Sequence, residues 1–448
     1  MNKVTFHVVS HTHWDREWQK NFHEYRTRLI KFMDELINTL EINEEFSSFM
    51  LDGQTSLIED YLQIKPSMYM RIKNLVEKER LIIGPWYVQP DEFLPSGESL
   101  IRNLMISEMI SREFGSRMNE GYLPDSFGQS RFIPQILNQF NIDSVIAMRG
   151  FDKNSIKNNE FIWEGAADSK VICSVLWAGY NNGSMLVDDL DVTNETLDYN
   201  LDHLLEGSYE GNVLLLSGSD QATVKKEMPS LIDKLNKKYK DENYDFKLTN
   251  LTSYINKVKE NKDLLSEYEG DFRKPHLQRV HRSIAGTRTD FKQENYKIQT
   301  RLSKVLEPLS TIGWTLGDRY ENELINHCWK KVVQNHAHDS IGNVCTDDTH
   351  KDMLNRIEEA NHNVVALTKA RINNIEEKIR FKNDDNARPI IVFNLNSEKA
   401  TELVEAEVDS YDDFKLVDNY GSEIEYDILK EQKINLKDYR LWLKENPD

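Results

Sequence analysis

Residues 11–18 read His-Thr-His-Trp-Asp-Arg-Glu-Trp and follow directly on the apolar run VTFHVVS. Imidazole nitrogens and carboxylate oxygens are donors that zinc accepts. His11, His13 and Asp15 share one parity, so a strand continued this far would send all three side chains to one face at its carboxyl end. The same residues also suit a plain loop, with one histidine satisfied in the core and the other facing water. Spacing alone leaves both readings open.

Two further clusters carry chemistry-bearing groups. In GYLPDSFGQS, Asp125 follows a short apolar run and precedes the helical pattern SRFIPQILNQF. A carboxylate at a strand-to-helix junction is well placed for function, but Asp is also a favoured helix N-cap. In QNHAHDSIGN, His336 and His338 stand two apart at the end of a helical stretch. A regular helix would point them in different directions, so only one should serve a shared site. A histidine in a last helical turn can equally interact with the helix dipole, and Gly342 fits a helix stop.

These residues need a scaffold, and the chain supplies an alternating one. VTFHVV is followed by the amphipathic RTRLIKFMDELINTLE, and FSSFML by SLIEDYLQI; DSVIAMR, KVICSVLW and NVLLLSGSD come later. Such alternation predicts βαβ crossovers and a mainly parallel sheet over residues 1–270, with function at the carboxyl ends of its strands. Residues 271–385 read as a helical bundle of two or three helices. Met353, Ile357, Ala360, Val364 and Leu367 there form one apolar stripe. Beyond a polar linker ending at Pro389, IIVFNLNS, ELVEAEV and RLWLKE predict the start of a β domain over residues 386–448, too short for a full sandwich.

Composition narrows the classes of partner. The 448 residues are 39% hydrophobic and 29% charged, with a net charge of −19, which argues against nucleic acid and anionic membranes. Three scattered cysteines (Cys173, Cys328 and Cys345) fit neither a disulfide framework nor a cysteine-rich zinc site. No run approaches the roughly 18 apolar residues of a membrane helix, and the N-terminus lacks a secretory pattern, so a cytoplasmic protein is expected.

Taken together, SHTHWDREW, LPDSFGQS, AMRG, NHAHDSIGN and the later VFNLNS resemble glycoside hydrolase family 38, the zinc-dependent retaining α-mannosidases of bacterial type. The resemblance runs from near residue 5 to about residue 400. It implies a seven-stranded, mainly parallel α/β domain, a three-helix bundle and C-terminal β domains, most of which are missing here. It implies one Zn2+ per chain held by His13, Asp15, Asp125 and His338, with Asp125 also the nucleophile and His11 in support. By the same matching, Trp18 resembles the platform under the sugar, Arg149 steadies the nucleophile, and Asp220 and Asp339 contact substrate.

No general acid aligns securely. Within YEGDFRKPHLQRVHRSIAGTR, Asp271 is the candidate carboxylate and His281 another titratable group, although Asp271 also suits a turn after Gly270. The expected substrate is a mannose-containing oligosaccharide. The short β region predicts a homo-oligomer or a partner chain supplying β domains. A zinc-dependent sugar deacetylase or amidohydrolase, and a non-catalytic zinc-stabilised carbohydrate-binding subunit, are the competing readings.

Overall fold

A computed structural model describes residues 3–187, 189–208, 211–276, 278–381, 387–408, 410 and 413–431. The chain divides into two compact units, Met1–Arg380 and Phe381–Asp448.

The first unit is built on short parallel strands. Strand β1 (Val4–Ser10) pairs in parallel with β8 (Asn212–Ser217) on one side and β9 (Tyr244–Thr249) on the other. Its residues alternate between two cores, as a central strand requires. Phe6 and Val8 pack with Leu29, Phe32 and Leu36 of the helix Phe22–Ile42, while Val9 joins Ile146 and Leu216 on the opposite face. That helix begins four residues before the predicted pattern because Asn21 and Glu24 form a reciprocal capping box.

Strands β2 (Phe49–Met50) and β3 (Leu81–Ile82) make a parallel pair. A bridge from His11 to Met50 continues the line of β1 beside them. A five-stranded sheet then runs in the order β10 (Glu267–Glu269), β6 (Glu160–Glu164), β7 (Lys170–Val175), β5 (Ser144–Ala147), β4 (Gly121–Leu123). Its pairings are parallel except β6 with β7. Hydrogen bonding therefore groups these described strands in sets of three, two and five, where the family resemblance implies seven mainly parallel strands. Several strands are only two or three residues long and show no periodicity that a sequence pattern could register.

The helical stretches after residue 288 pack on one another. Thr289–Thr300 runs through a π segment (Arg301–Leu306) into Glu307–Thr315, followed by Asn322–Gln334, the short His338–Gly342 and the 30-residue Asp347–Glu376. Met353, Ile357, Ala360 and Val364 are buried in the shared core and Leu367 packs against it, as the stripe predicted. Among the described residues, no helix is long and apolar enough to cross a membrane.

The second unit differs from expectation. IIVFNLNS forms no strand, nor do the described residues of ELVEAEV; the strands seen are the antiparallel pair Leu416–Val417 and Glu423–Ile424. Ile390, Val392 and Val404 are exposed, so these runs lack the apolar cover that makes alternation productive. The RLWLKE segment lies outside the described residues.

Candidate metal centre and active site

The candidate residues gather where strand ends meet. His13 and Asp15 follow β1, Asp125 follows β4, Arg149 follows β5 and Asp220 follows β8. The first strand ends at Ser10, but its line continues through isolated bridges of His11 with Met50 and His13 with Asp220. His338 arrives from the helical region. The helix Asn322–Gln334 stops before it, and a bridge between Pro90 and Ala337 pins the joint. His336 and His338 thus part company at a break between helices, not along a regular helix as expected. His336 Nε2 bonds Asn295 Oδ1 at 2.8 Å, and burial pushes its pKa down to about 3.

Four ligand atoms converge. His13 Nε2 lies 3.1 Å from Asp15 Oδ1 and 3.9 Å from Asp125 Oδ2, while His338 Nε2 lies 3.5 Å from Asp15 Oδ1 and 3.2 Å from Asp125 Oδ2. A tetrahedron with metal–ligand bonds of about 2.0–2.1 Å has edges of about 3.3–3.4 Å, and the four distances bracket that value. His13 Nε2, Asp15 Oδ1 and His338 Nε2 are all buried without a hydrogen-bond partner. Buried polar atoms orphaned around one point are what a missing cation leaves behind, so the donor set fits zinc.

Both imidazoles are oriented from behind. His13 Nδ1 bonds Asp52 Oδ1 at 3.1 Å, and His338 Nδ1 faces the Gln89 carbonyl at 3.4 Å. With Nδ1 committed as donor, Nε2 is left as a metal-facing acceptor. Asp52 is itself fixed, its Oδ2 accepting from the Trp14 N–H at 2.8 Å and from Gln54 Nε2 at 2.7 Å.

The electrostatics show a site short of positive charge. Burial opposes protonation of His13, but Asp52 and Asp15 hold its pKa well above the ordinary value. Burial likewise opposes His338, yet Asp339, Asp125 and Asp15 raise it to about 9. Asp125 is lowered to about 2 against its own burial, by His338, Arg149 and His13. For Asp339, burial and then repulsion from Asp15 and Asp125 raise the pKa well above the usual range. Protons on two imidazoles do here what a divalent cation would do by displacing them.

Of the four candidate donors, Asp125 is the one that a substrate could reach: its side chain is 12% exposed, against 1% for His13, 3% for His338 and 4% for Asp15. Arg149 grips Asp125 Oδ1 through Nε at 2.6 Å and through Nη2, and is itself held by the Arg279 carbonyl at 2.8 Å. Asp220 is exposed, accepts from the Tyr180 hydroxyl at 2.8 Å, and offers an oxygen within 4.8 Å of ligand atoms of His13 and Asp15. Asp339 is buried, its Oδ2 3.8 Å from His338 Nε2.

Other expected residues sit further out. His11 bonds the Tyr180 carbonyl at 2.8 Å and contributes no atom to the clusters. Trp18 is half-buried, and its carbonyl receives the N–H of Thr346, the cap of Asp347–Glu376. Asp271, the candidate general acid, accepts the Arg131 N–H on Oδ1 at 2.7 Å, a contact between distant segments, and contributes no atom to the clusters. His281 packs its ring 5.2 Å from that of Phe127, which in turn lies 5.7 Å from His338.

Asp52, Gln89 and Glu17 escaped the sequence reading. Glu17 ties the first loop to the helical region, bonding Ser340 Oγ at 3.1 Å and Arg356 through Nη1 and, at 2.7 Å, Nη2. Asp52 follows FML at a strand end, the same signal that singled out Asp125. Gln89 has no comparable signal, because its main-chain carbonyl does half of its work.

Comparison with known proteins places the chain in a family. Residues 3–273 match the model of the glycosyl hydrolases family 38 N-terminal domain, and residues 279–375 that of the alpha mannosidase middle domain. The chain belongs to glycosyl hydrolase family 38. It is 30% identical over 422 residues to a proposed mannosylglycerate hydrolase of Halalkalibacterium halodurans, covering 91% of this chain and 47% of that protein. It is 29% identical over 169 residues to alpha-mannosidase G of Dictyostelium discoideum, covering 37% of this chain and 15% of the other. The crystal structure of an alpha-mannosidase from Enterococcus faecalis V583 superposes with a TM-score of 0.79 at 29% identity, covering 84% of this chain and 43% of that one. The family 38 chain described here therefore spans less than half the length of each of these relatives.

Proposed function

We propose that this chain carries the catalytic centre of a zinc-dependent retaining α-mannosidase acting on terminal α-linked mannose. The observation that carries the reading is the geometry at Asp125, the most open of the four candidate donors, with Oδ1 held by Arg149 and Oδ2 3.2 Å from His338 Nε2. In the proposed reaction an Asp125 oxygen attacks the anomeric carbon, forming a glycosyl ester as the bond to the leaving oxygen breaks. The proton for the leaving oxygen comes from Asp220, which reaches the cluster from β8 on the side of Tyr180. The same Asp220 then takes a proton from the water that cleaves the ester, and mannose leaves with its configuration retained. Zinc, when held by His13, Asp15, Asp125 and His338, would supply a Lewis-acid grip on neighbouring sugar hydroxyls and steady the charge of the distorted ring. An axial 2-hydroxyl suits such a grip, which favours mannose.

Two observations favour an acidic aglycone. One relative is named for mannosylglycerate. Residues 273–288 also carry Arg273, Lys274, Arg279, Arg282 and Arg288 with no acid, in a chain of net charge −19. Arg273, Arg279 and Arg282 are exposed, and no carboxylate among the described residues pairs with them. The stretch lies beside the nucleophile, since Arg279 holds Arg149.

The test is trapping with a fluorinated mannoside, together with hydrolysis of 4-nitrophenyl α-mannoside with and without chelator. A label on Asp125 and chelator-sensitive turnover are expected. Chelator-sensitive release of acetate without any label would instead establish a deacetylase. Bound zinc and mannose without turnover would establish a binding subunit. A kcat/KM for mannosylglycerate no higher than for its methyl ester would refute the acidic aglycone.

A further inference from the structure

The zinc reading leaves open what holds donors from such distant parts of the chain 3.1–3.9 Å apart. We propose that Gln89 is a positioning residue coupling the two histidine ligands, and that the segment Gln89–Asp91 sets the spacing among His13, Asp125 and His338. This rests on the zinc reading of the site.

Each end of Gln89 serves a different histidine. Its main-chain carbonyl accepts the His338 N–H at 2.9 Å and faces Nδ1 of the same residue at 3.4 Å. Its side-chain Nε2 donates to the Asp52 carbonyl at 2.5 Å, and the Asp52 carboxylate holds His13 Nδ1. The next two residues reach the third ligand's loop. The Pro90 carbonyl accepts from Ser126 Oγ at 2.7 Å, immediately after Asp125, and Asp91 Oδ1 accepts the Phe127 N–H at 3.4 Å. The Asp91 N–H donates to the His336 carbonyl at 3.2 Å, which ties the segment again to the joint between helices that carries His338.

The surroundings are shaped for this reach. Gln89 is buried, and Asp52 and Gly53 both adopt left-handed backbone, at φ +49° and +63°. A Cβ at Gly53 would stand 3.0 Å from Tyr122 Cδ1 and 3.2 Å from Gln89 Nε2 and would be strained at this left-handed φ, so glycine gives the amide room to reach the Asp52 carbonyl. Metal sites tolerate errors of only about 0.5 Å and 10–20° in their ligands, so a strut that fixes two imidazoles at once bears directly on affinity.

The experiment measures zinc affinity of the full chain by competition with a chromophoric chelator, for the wild type, Gln89→Met, Asp52→Asn and the double variant. Loss of an outer partner typically weakens metal binding about 10–100-fold, and that is expected for Gln89→Met. If Gln89 acts through residue 52, the loss in the double variant is smaller than the product of the two single losses; losses that multiply would overturn the proposal. Should Gln89→Met lower the unfolding temperature of the metal-free chain, Gln89→Glu keeps the shape and removes the donor. Unchanged affinity in both variants sinks the positioning role. A wild-type chain that takes up no zinc sinks the zinc reading instead.

Discussion

Replacing Asp52 by Asn tests how the centre is held without touching a ligand. The carboxylate serves three donors: His13 Nδ1 at 3.1 Å on one oxygen, and the Trp14 N–H and Gln54 Nε2 at 2.8 and 2.7 Å on the other. An amide has one oxygen for these donors, so its NH2 must face a donor on one side, and the negative charge behind His13 is gone. Both changes loosen the ring and lower the basicity of Nε2. The expected result is a zinc affinity about 10–100-fold weaker, or about 1.4–2.7 kcal/mol. Competition with a chelator at pH 7 reads the affinity, and thermal unfolding of the metal-free variant separates it from a folding defect. A change below about threefold would show that His13 orients itself through packing alone, and the reasoning about the outer carboxylate would be wrong.

Three further outcomes follow from the same geometry. Zinc must displace protons from His13 and His338, the latter titrating at about 9 in the metal-free chain, so apparent zinc affinity should climb as pH rises from about 6.5 to 9; a flat profile would contradict it. The metal-free fold should lose stability over that window, because a histidine whose folded pKa is raised stabilises only while protonated. Glu92 is buried with Oε1 unpartnered, and burial followed by repulsion from Asp91 raises its pKa well above the ordinary value. Its raised folded pKa means stability is lost as pH climbs past about 4.3, so Glu92→Gln should unfold no earlier than wild type at pH 5 and later at pH 8. Denaturant midpoints at the two values decide it, and an earlier transition at pH 8 counts against the argument. Asp220→Asn should lose more activity on a mannoside with a poor leaving group than on 4-nitrophenyl α-mannoside; equal losses would return Asp220 to a purely binding role.

What the sequence determined by itself were the donors and the kind of scaffold. His13, Asp15 and Asp125 could be found because each lies just past an apolar run, and a strand end in a parallel sheet is where loops carry chemistry. The stripe from Met353 to Val364 was legible because helical period is a local property. Tertiary structure decided the rest. That His338 rather than His336 enters the site depends on a break between helices pinned by Pro90 and Ala337, a contact between distant segments. Asp271 and Asp220 look alike on paper, as carboxylates after glycine-containing turns; only folding sends one to the Arg131 N–H and the other beside His13. Gln89 was invisible for the same reason, since a main-chain carbonyl carries no letter in the sequence. Local patterns reveal what a residue can donate or bury, while the partner that receives it is a matter of long-range packing.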